Sequence, residues 1–236
     1  MHNVSGGVLS GDRLALEIEV AAGAAAQVTT TGATRLYRHR AGAADSEQQT
    51  RFSVGDGALL EYLPDAVIPY SMSRHVQNTA ISLGRGAALL SWEILAPGRL
   101  AAGERFAFER LQIETGICAG RRQVLRESFL LEPGRKDMAA PARMAGYSHC
   151  ATFCAIQEGR PPAFWRTLED SLSEIAAQRT SREEATWGAS TLASDGVIVR
   201  GLSRSGRFLQ DTLIAFWRTA RMAITGEEAT PPRKVY

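Results

Sequence analysis

From residue 8 to about residue 158 the chain consists of short runs in which apolar and polar residues alternate, the period-two signature of strands with one buried face. In the first run Leu14, Leu16, Ile18 and Val20 share one side. Further runs span 26–31, 34–38, 49–54, 58–63, 75–83, 87–95, 105–114, 123–131 and 147–157. Turn residues separate nearly all of them: Ala22-Gly23, Gly55-Asp56-Gly57, Gly84-Arg85-Gly86, Pro97-Gly98 and Pro133-Gly134. So many strands without an intervening helix predict a mainly β body, either sandwich-like or a stacked, β-helix-like coil, and exclude a βαβ sheet. No exact internal repeat is visible, but the glycine turns are regularly spaced, which keeps the stacked coil beside the sandwich.

The period changes after Pro161-Pro162. Phe164, Trp165, Leu168, Leu172, Ile175 and Ala176 recur at helical spacing, and the proline pair stands where a helix starts well. Two strands, 187–192 and 196–202, follow around the turn Ser194-Asp195-Gly196. A second helix is predicted from about Arg207 to Ile224, with Phe208, Thr212, Leu213, Phe216, Trp217 and Ala220 on its apolar side and Gly226 as its cap. No Pro-, Gly- and Ser-rich linker divides the parts. The expectation is one domain over 1–236, a β body (1–158) carrying a helix-hairpin-helix part (159–236).

With 44% hydrophobic residues in 236, the chain has enough apolar content for one sizeable core. It has no apolar run of membrane-spanning length, and Met1 to Gly7 lacks a basic then apolar leader, so a cytoplasmic, membrane-free protein is expected. Three cysteines, Cys118, Cys150 and Cys154, are too few for a disulfide framework and fit a reducing compartment. All but two of the 27 basic residues are arginine, the side chain best suited to bidentate contacts and protein interfaces. These residues are interleaved with 25 acidic ones rather than gathered in a stripe, which disfavours nucleic acid as a partner.

Catalytic machinery finds no foothold. The segment Gly6-Gly7-Val8-Leu9-Ser10-Gly11-Asp12 lacks the Lys-Ser/Thr of a phosphate loop and precedes a strand, so it reads as a turn in which Asp12 bonds to local backbone. His149, Cys150 and Cys154 resemble a metal cluster, yet strand parity sets His149 opposite the two cysteines and makes these core packing. His2, His39 and His75 lie in unrelated segments. There is no Gly-x-Ser-x-Gly elbow. The remaining candidates are carboxylates inside apolar strands, Glu61, Glu93 and Glu127, which are either the solvent-facing members of the alternation or interior ligands for a hydrated divalent ion.

Gly6-Gly7 with Gly11-Asp12, Tyr37-Arg38, Leu60-Glu61-Tyr62-Leu63-Pro64, Trp92-Glu93, Gly103-Glu104-Arg105-Phe106 and Pro231-Pro232-Arg233 stand in an order that resembles the urease accessory proteins of the UreD (UreH) family. Gly6-Gly7 followed by Gly11-Asp12 and an alternating strand is similar to its opening pattern, and Thr29 to Arg38, ending Tyr37-Arg38, to its Thr-Thr...Tyr-Arg segment. Leu60-Glu61-Tyr62-Leu63-Pro64 resembles its Leu-Glu-Trp-Leu-Pro. Trp92-Glu93, Pro97-Gly98-Arg99 and Gly103-Glu104-Arg105-Phe106 resemble its Trp-Glu/Asp...Gly-Arg...Gly-Glu-x-Phe, and Pro231-Pro232-Arg233 its closing Pro-Arg. The match covers essentially the whole chain and is strongest from residue 5 to about residue 110. Arg35 stands where lysine is usual, Ser10 where glycine is, Tyr62 where tryptophan is, and His2-Asn3-Val4 where His-Pro-Pro is.

The resemblance implies a β-helix-like fold with accessory helices and a non-catalytic role. With UreF and UreG such a protein binds apo-urease and assists nickel insertion; it holds no permanent cofactor, and nickel is in transit. In the family the metal is routed through an interior channel lined by acidic residues, which by position would be Asp12, Glu93 and Glu127. The chain begins where family members already have an N-terminal stretch of strands, so either the start is misplaced or the first strands come from elsewhere, and a missing strand would leave an unpaired sheet edge. Two other readings stay open: a carbohydrate-active β-helix enzyme using two of the carboxylates, against which stand 7% aromatics, and an interaction module with no metal role.

Overall fold

A computed structural model describes residues 6–232; Arg233 and the His2-Asn3-Val4 stretch of the motifs above lie outside the described residues. The chain winds back and forth between two facing sheets. In the first sheet β1 (Arg13–Val20), β4 (Ser46–Val54), β7 (Arg74–Leu83) and β9 (Arg110–Ala119) lie parallel, and β10 (Arg122–Leu131) closes it antiparallel to β9. The second sheet takes the strands between them: β2 (Ala25–Val28), β5 (Leu59–Tyr62) and β8 (Ala88–Leu95) run parallel. To β8 the antiparallel strands β11 (His149–Gln157), β13 (Gly196–Ser203) and β12 (Ala185–Thr191) are added in that order. Two short strands, β3 (Thr34–Leu36) and β6 (Val67–Pro69), pair beside the second sheet. The body is thus sandwich-like in its two facing sheets and coil-like in its winding. Among the described residues strand β1 pairs only with β4 and forms one edge.

The windings follow a near-repeat that becomes visible once the strands are superposed. Val20-Ala21-Ala22-Gly23-Ala24, Val54-Gly55-Asp56-Gly57-Ala58 and Leu83-Gly84-Arg85-Gly86-Ala87 make the same turn. In each, the alanine amide bonds back to the carbonyl three residues earlier, at 3.0, 3.1 and 3.1 Å. Each also has its second-last residue, Gly23, Gly57 or Gly86, at positive φ, which glycine adopts without a Cβ penalty. Successive turns stack so closely that a Cβ on Gly55 would lie 2.5 Å from the Ala22 nitrogen. Asp56 ties two of them together by accepting from the backbone amide and guanidinium of Arg85, which holds its carboxyl below the ordinary range.

Helices α1 (Pro162–Arg179) and α2 (Gly206–Thr225) cover the outer face of the second sheet. Helix α1 carries proline in its first turn; α2 starts on Ser205, whose hydroxyl accepts from the Phe208 amide, and ends on left-handed Gly226. Trp165, Leu168 and Leu172 of α1 and Leu213, Phe216 and Trp217 of α2 pack on Trp92, Phe153 and Val199 of the sheet. Each such buried side chain contributes about 1.5–3 kcal/mol. Glu61 anchors the layer: its carboxylate accepts from Trp217 Nε1 at 2.7 Å and lies 3.2 Å from Arg221 Nε, both on α2. Among the described residues no helix is long and apolar enough to cross a membrane.

One strand differs from its prediction. The run expected at 105–114 is displaced to Arg110–Ala119, because residues up to Phe108 take an irregular path with Phe106 at φ 51°. Gly116 interrupts the apolar pattern but lies inside the strand with open space around it. Strand β6 escaped prediction, being only three residues long.

Gly201 is a packing position of the second sheet. A Cβ there would stand 2.1 Å from the Trp187 ring on neighbouring β12, whereas one on Gly188 of β12 would meet nothing within 4 Å. Gly201→Ala is therefore expected to cost about 1–3 kcal/mol of stability in chemical denaturation. Gly188→Ala, the control, should cost well under that; equal losses would count against the contact.

Candidate functional site

In-register stacking turns the inward residues of the first sheet into ladders that cross the windings. One is apolar: Ile18, Phe52, Ile81, Ile117 and Leu125. Two residues further back along each parallel strand, the ladder reads Leu16, Thr50, Thr79 and Thr115, with Glu127 of β10 opposite Thr115. The next reads Leu14, Gln48, Gln77, Ile113 and Phe129. A polar layer therefore runs through the interior between two apolar clusters, one around Phe52, Leu60 and Leu89, the other around Leu36, Leu95 and Leu111.

The second sheet faces that layer with its own polar row. Glu93 of β8, Thr152 of β11 and Arg200 of β13 are paired side by side. Glu93 accepts from the Thr115 hydroxyl at 2.9 Å and from Gln77 Nε2 at 3.5 Å, so it bridges the two sheets. Glu127, 7% exposed, accepts from Arg200 Nε at 2.8 Å. Burial lifts the Glu93 carboxyl from its ordinary 4.5 to about 7; Glu127 nearby adds to the rise, and the Thr115 and Gln77 hydrogen bonds oppose it. Burial likewise pushes up the thiols of Cys150, to about 12, and of Cys154.

A cavity of about 470 Å³ occupies this layer, with Gln77, Glu93, Cys150, Thr152 and Arg200 among its walls. A second, of about 560 Å³, lies at the first winding against Gly7, Leu14 and Leu16. Thr30, Thr34 and Gln48 line both, so the two adjoin. Among the described residues no three His, Cys, Asp or Glu side chains converge as a set of metal ligands.

The residues singled out from sequence fall into separate places. Glu93 and Glu127 meet in the polar interior. Asp12 instead closes the turn before β1, its carboxylate accepting from the Leu9 amide at 2.8 Å, and lines neither cavity. Gly6 and Gly11 hold positive φ in the same region, at 77° and 79°, while Gly7 gives room to Tyr37, whose ring would lie 2.4 Å from a Cβ. Arg38 lines a third cavity with Tyr37 and Glu109. Trp92 and Glu61 belong to the helix-covered face, where Trp92 donates to the Pro64 carbonyl at 2.8 Å and meets Trp217 edge-on at 6.4 Å. Sequence reading missed Thr50, Thr79, Thr115, Gln77 and Arg200. The signal for two of them was present: Thr50 and Thr79 each stand seven residues before the positive-φ glycine of their turn, as Leu16 does.

The displaced Glu93 has a measurable consequence. Between its unfolded value of 4.5 and its folded value of about 7 the native state holds a proton that the unfolded chain has lost, so its contribution to stability falls as pH rises through that window. Glu93→Gln should match the parent near pH 4 and exceed it at about pH 8 by on the order of 3 kcal/mol in urea unfolding. A difference independent of pH would mean that Glu93 titrates as an ordinary carboxylate.

Comparison with known proteins completes the picture. The family model described as UreD urease accessory protein matches residues 1–236. A urease accessory protein UreD from Herpetosiphon aurantiacus is 40% identical over 236 residues, covering 100% of this chain and 82% of that protein. Its counterpart in Anaeromyxobacter sp. is 36% identical over 200 residues, 85% of this chain and 65% of the relative. That of Dechloromonas aromatica is 32% identical over 229 residues, with shares of 96% and 76%. Matched from its first residue to its last, and aligned along its length with relatives of that name, the chain belongs to the UreD family of urease accessory proteins.

Proposed function

We propose that this protein acts in urease maturation as a non-catalytic conduit: with UreF and UreG it binds apo-urease in the cytoplasm, and nickel passes through its interior toward the urease active site. The observation that carries the reading is the polar layer between two apolar clusters, where Glu93 bridges the sheets beside Glu127 and the adjoining cavities extend to the first winding. Nickel favours nitrogen and sulfur over oxygen, so carboxylates, hydroxyls and water hold it weakly enough to let it go. The two carboxylates stand at one part of the layer, and the threonine and glutamine ladders lead from it toward β1. Asp12, outside both cavities, has a turn-closing part in this reading.

Co-expression with urease subunits and the other accessory proteins tests it. Omitting the chain should abolish urease activity and bound nickel together. Glu127→Ala or Glu93→Ala should lower nickel per urease active site by about tenfold while the accessory complex still co-purifies, whereas Asp12→Ala should stay within about twofold. Unchanged loading in both glutamate variants would overturn the route; full activation without the chain would overturn the role.

A further inference from the structure

We propose that Arg200 is the resident counter-ion of the interior carboxylates, a latch that holds Glu127 until a divalent cation arriving through the interior takes its place. The proposal rests on the transit reading above and assigns its regulation to one side chain. Arg200 is the only basic residue among the described walls of the inner cavity. Glu127 is absent from those walls, its carboxylate being taken up by the Arg200 guanidinium. The pair spans the two sheets close to their free edges: β10 ends the first sheet, and β13 is covered on its far side only by the last strand, β12.

The asymmetry of the pair is what makes it a latch. The Arg200 side chain is 55% exposed and that of Glu127 6%. A half-exposed guanidinium swings into water at little cost, because solvent replaces most of what it loses. A buried carboxylate stripped of its partner has no such refuge, so it is handed to another cation and not left bare. Backbone pairing sets Arg200 two strands from Glu93 in the same row, and Thr115, the cross-strand partner of Glu127, donates its hydroxyl to Glu93. A cation replacing the guanidinium at Glu127 therefore arrives within electrostatic reach of Glu93.

A second observation points to a polar guest in this place. The hydroxyls of Thr50 and Thr79, 1% and 4% exposed, have no hydrogen-bond partner. They occupy the same inward ladder as Thr115, two and one strands before it. Buried hydroxyls are seldom left unsatisfied, and a row of them beside a carboxylate suits water or a hydrated ion. With Arg200 docked the pair is electrically neutral; with Arg200 withdrawn, Glu127 is free to take part of a double positive charge.

Calorimetric titration of the purified full chain with Ni²⁺ at fixed pH and salt tests this directly. Arg200→Gln should bind Ni²⁺ at least about tenfold more tightly than the parent, because the competing cation is gone. Arg200→Lys should stay within about threefold of the parent, and the neutral pair Arg200→Gln/Glu127→Gln should return to parental weakness or below. Should Arg200→Gln fail to fold, Arg200→Met, which keeps the aliphatic stem, carries the same expectation. Affinity unchanged in both Arg200→Gln and Arg200→Met, or tighter binding that survives in the double variant, would overturn the latch. The co-expression assay separates the two ideas: tight Ni²⁺ binding by Arg200→Gln alongside full urease loading without the chain leaves the latch and removes the conduit. An unchanged Arg200→Gln alongside loading that requires the chain does the reverse.

Discussion

Everything in the interior depends on one constraint, the zero-shift register between parallel strands of successive windings. Because β1, β4, β7 and β9 lie in step, a residue's chemistry is repeated or answered one strand spacing away. Apolar residues thus build continuous walls, and threonine on threonine builds a polar seam that a single strand could not hold in a core. A slip of one residue in any strand would turn its inward face outward and set charged residues such as Glu47 or Arg51 against the core. The glycine turns protect the register, since their backbones touch and leave no slack.

Three glutamates inside apolar strands show how neighbours decide the fate of a charge. Glu61 lies under α2 with an indole N–H and a guanidinium and fastens the helical layer to the sheet. Glu127 keeps a guanidinium reaching in from the surface. Glu93 has only neutral donors, a hydroxyl and an amide, and burial raises it toward neutrality. One residue type in one pattern therefore yields an anchor, a buried ion-pair partner and a group poised near neutral pH.

Much of this was legible in the sequence. Alternation marked the strands, the shift to helical period after Pro161-Pro162 marked α1, and Gly226 marked the end of α2. Local patterns stopped short of the winding order, because strand pairing is a long-range property. The seam was hidden for the same reason: Thr50, Thr79 and Thr115 look like ordinary strand residues until their register is known. Glu61, Glu93 and Glu127 stood out as carboxylates among apolar neighbours, but whether each faced water or the interior depended on the layer beyond it. Arg200 gave no local sign at all, since its partner lies 73 positions away.

The cysteine positions carry a consequence for thiol reactivity. Cys150 stands on the cavity wall and Cys154 lies in the adjacent core, each with its thiol far above neutral pH. A protonated thiol is a poor ligand, since it is the thiolate that grips soft metals. At neutral pH the cavity wall thus carries ionisable oxygen in Glu93 and sulfur that keeps its proton. Oxidants and electrophiles, which attack the thiolate, therefore find both cysteines slow to react at neutral pH, and the wall they help to build keeps its chemistry unchanged.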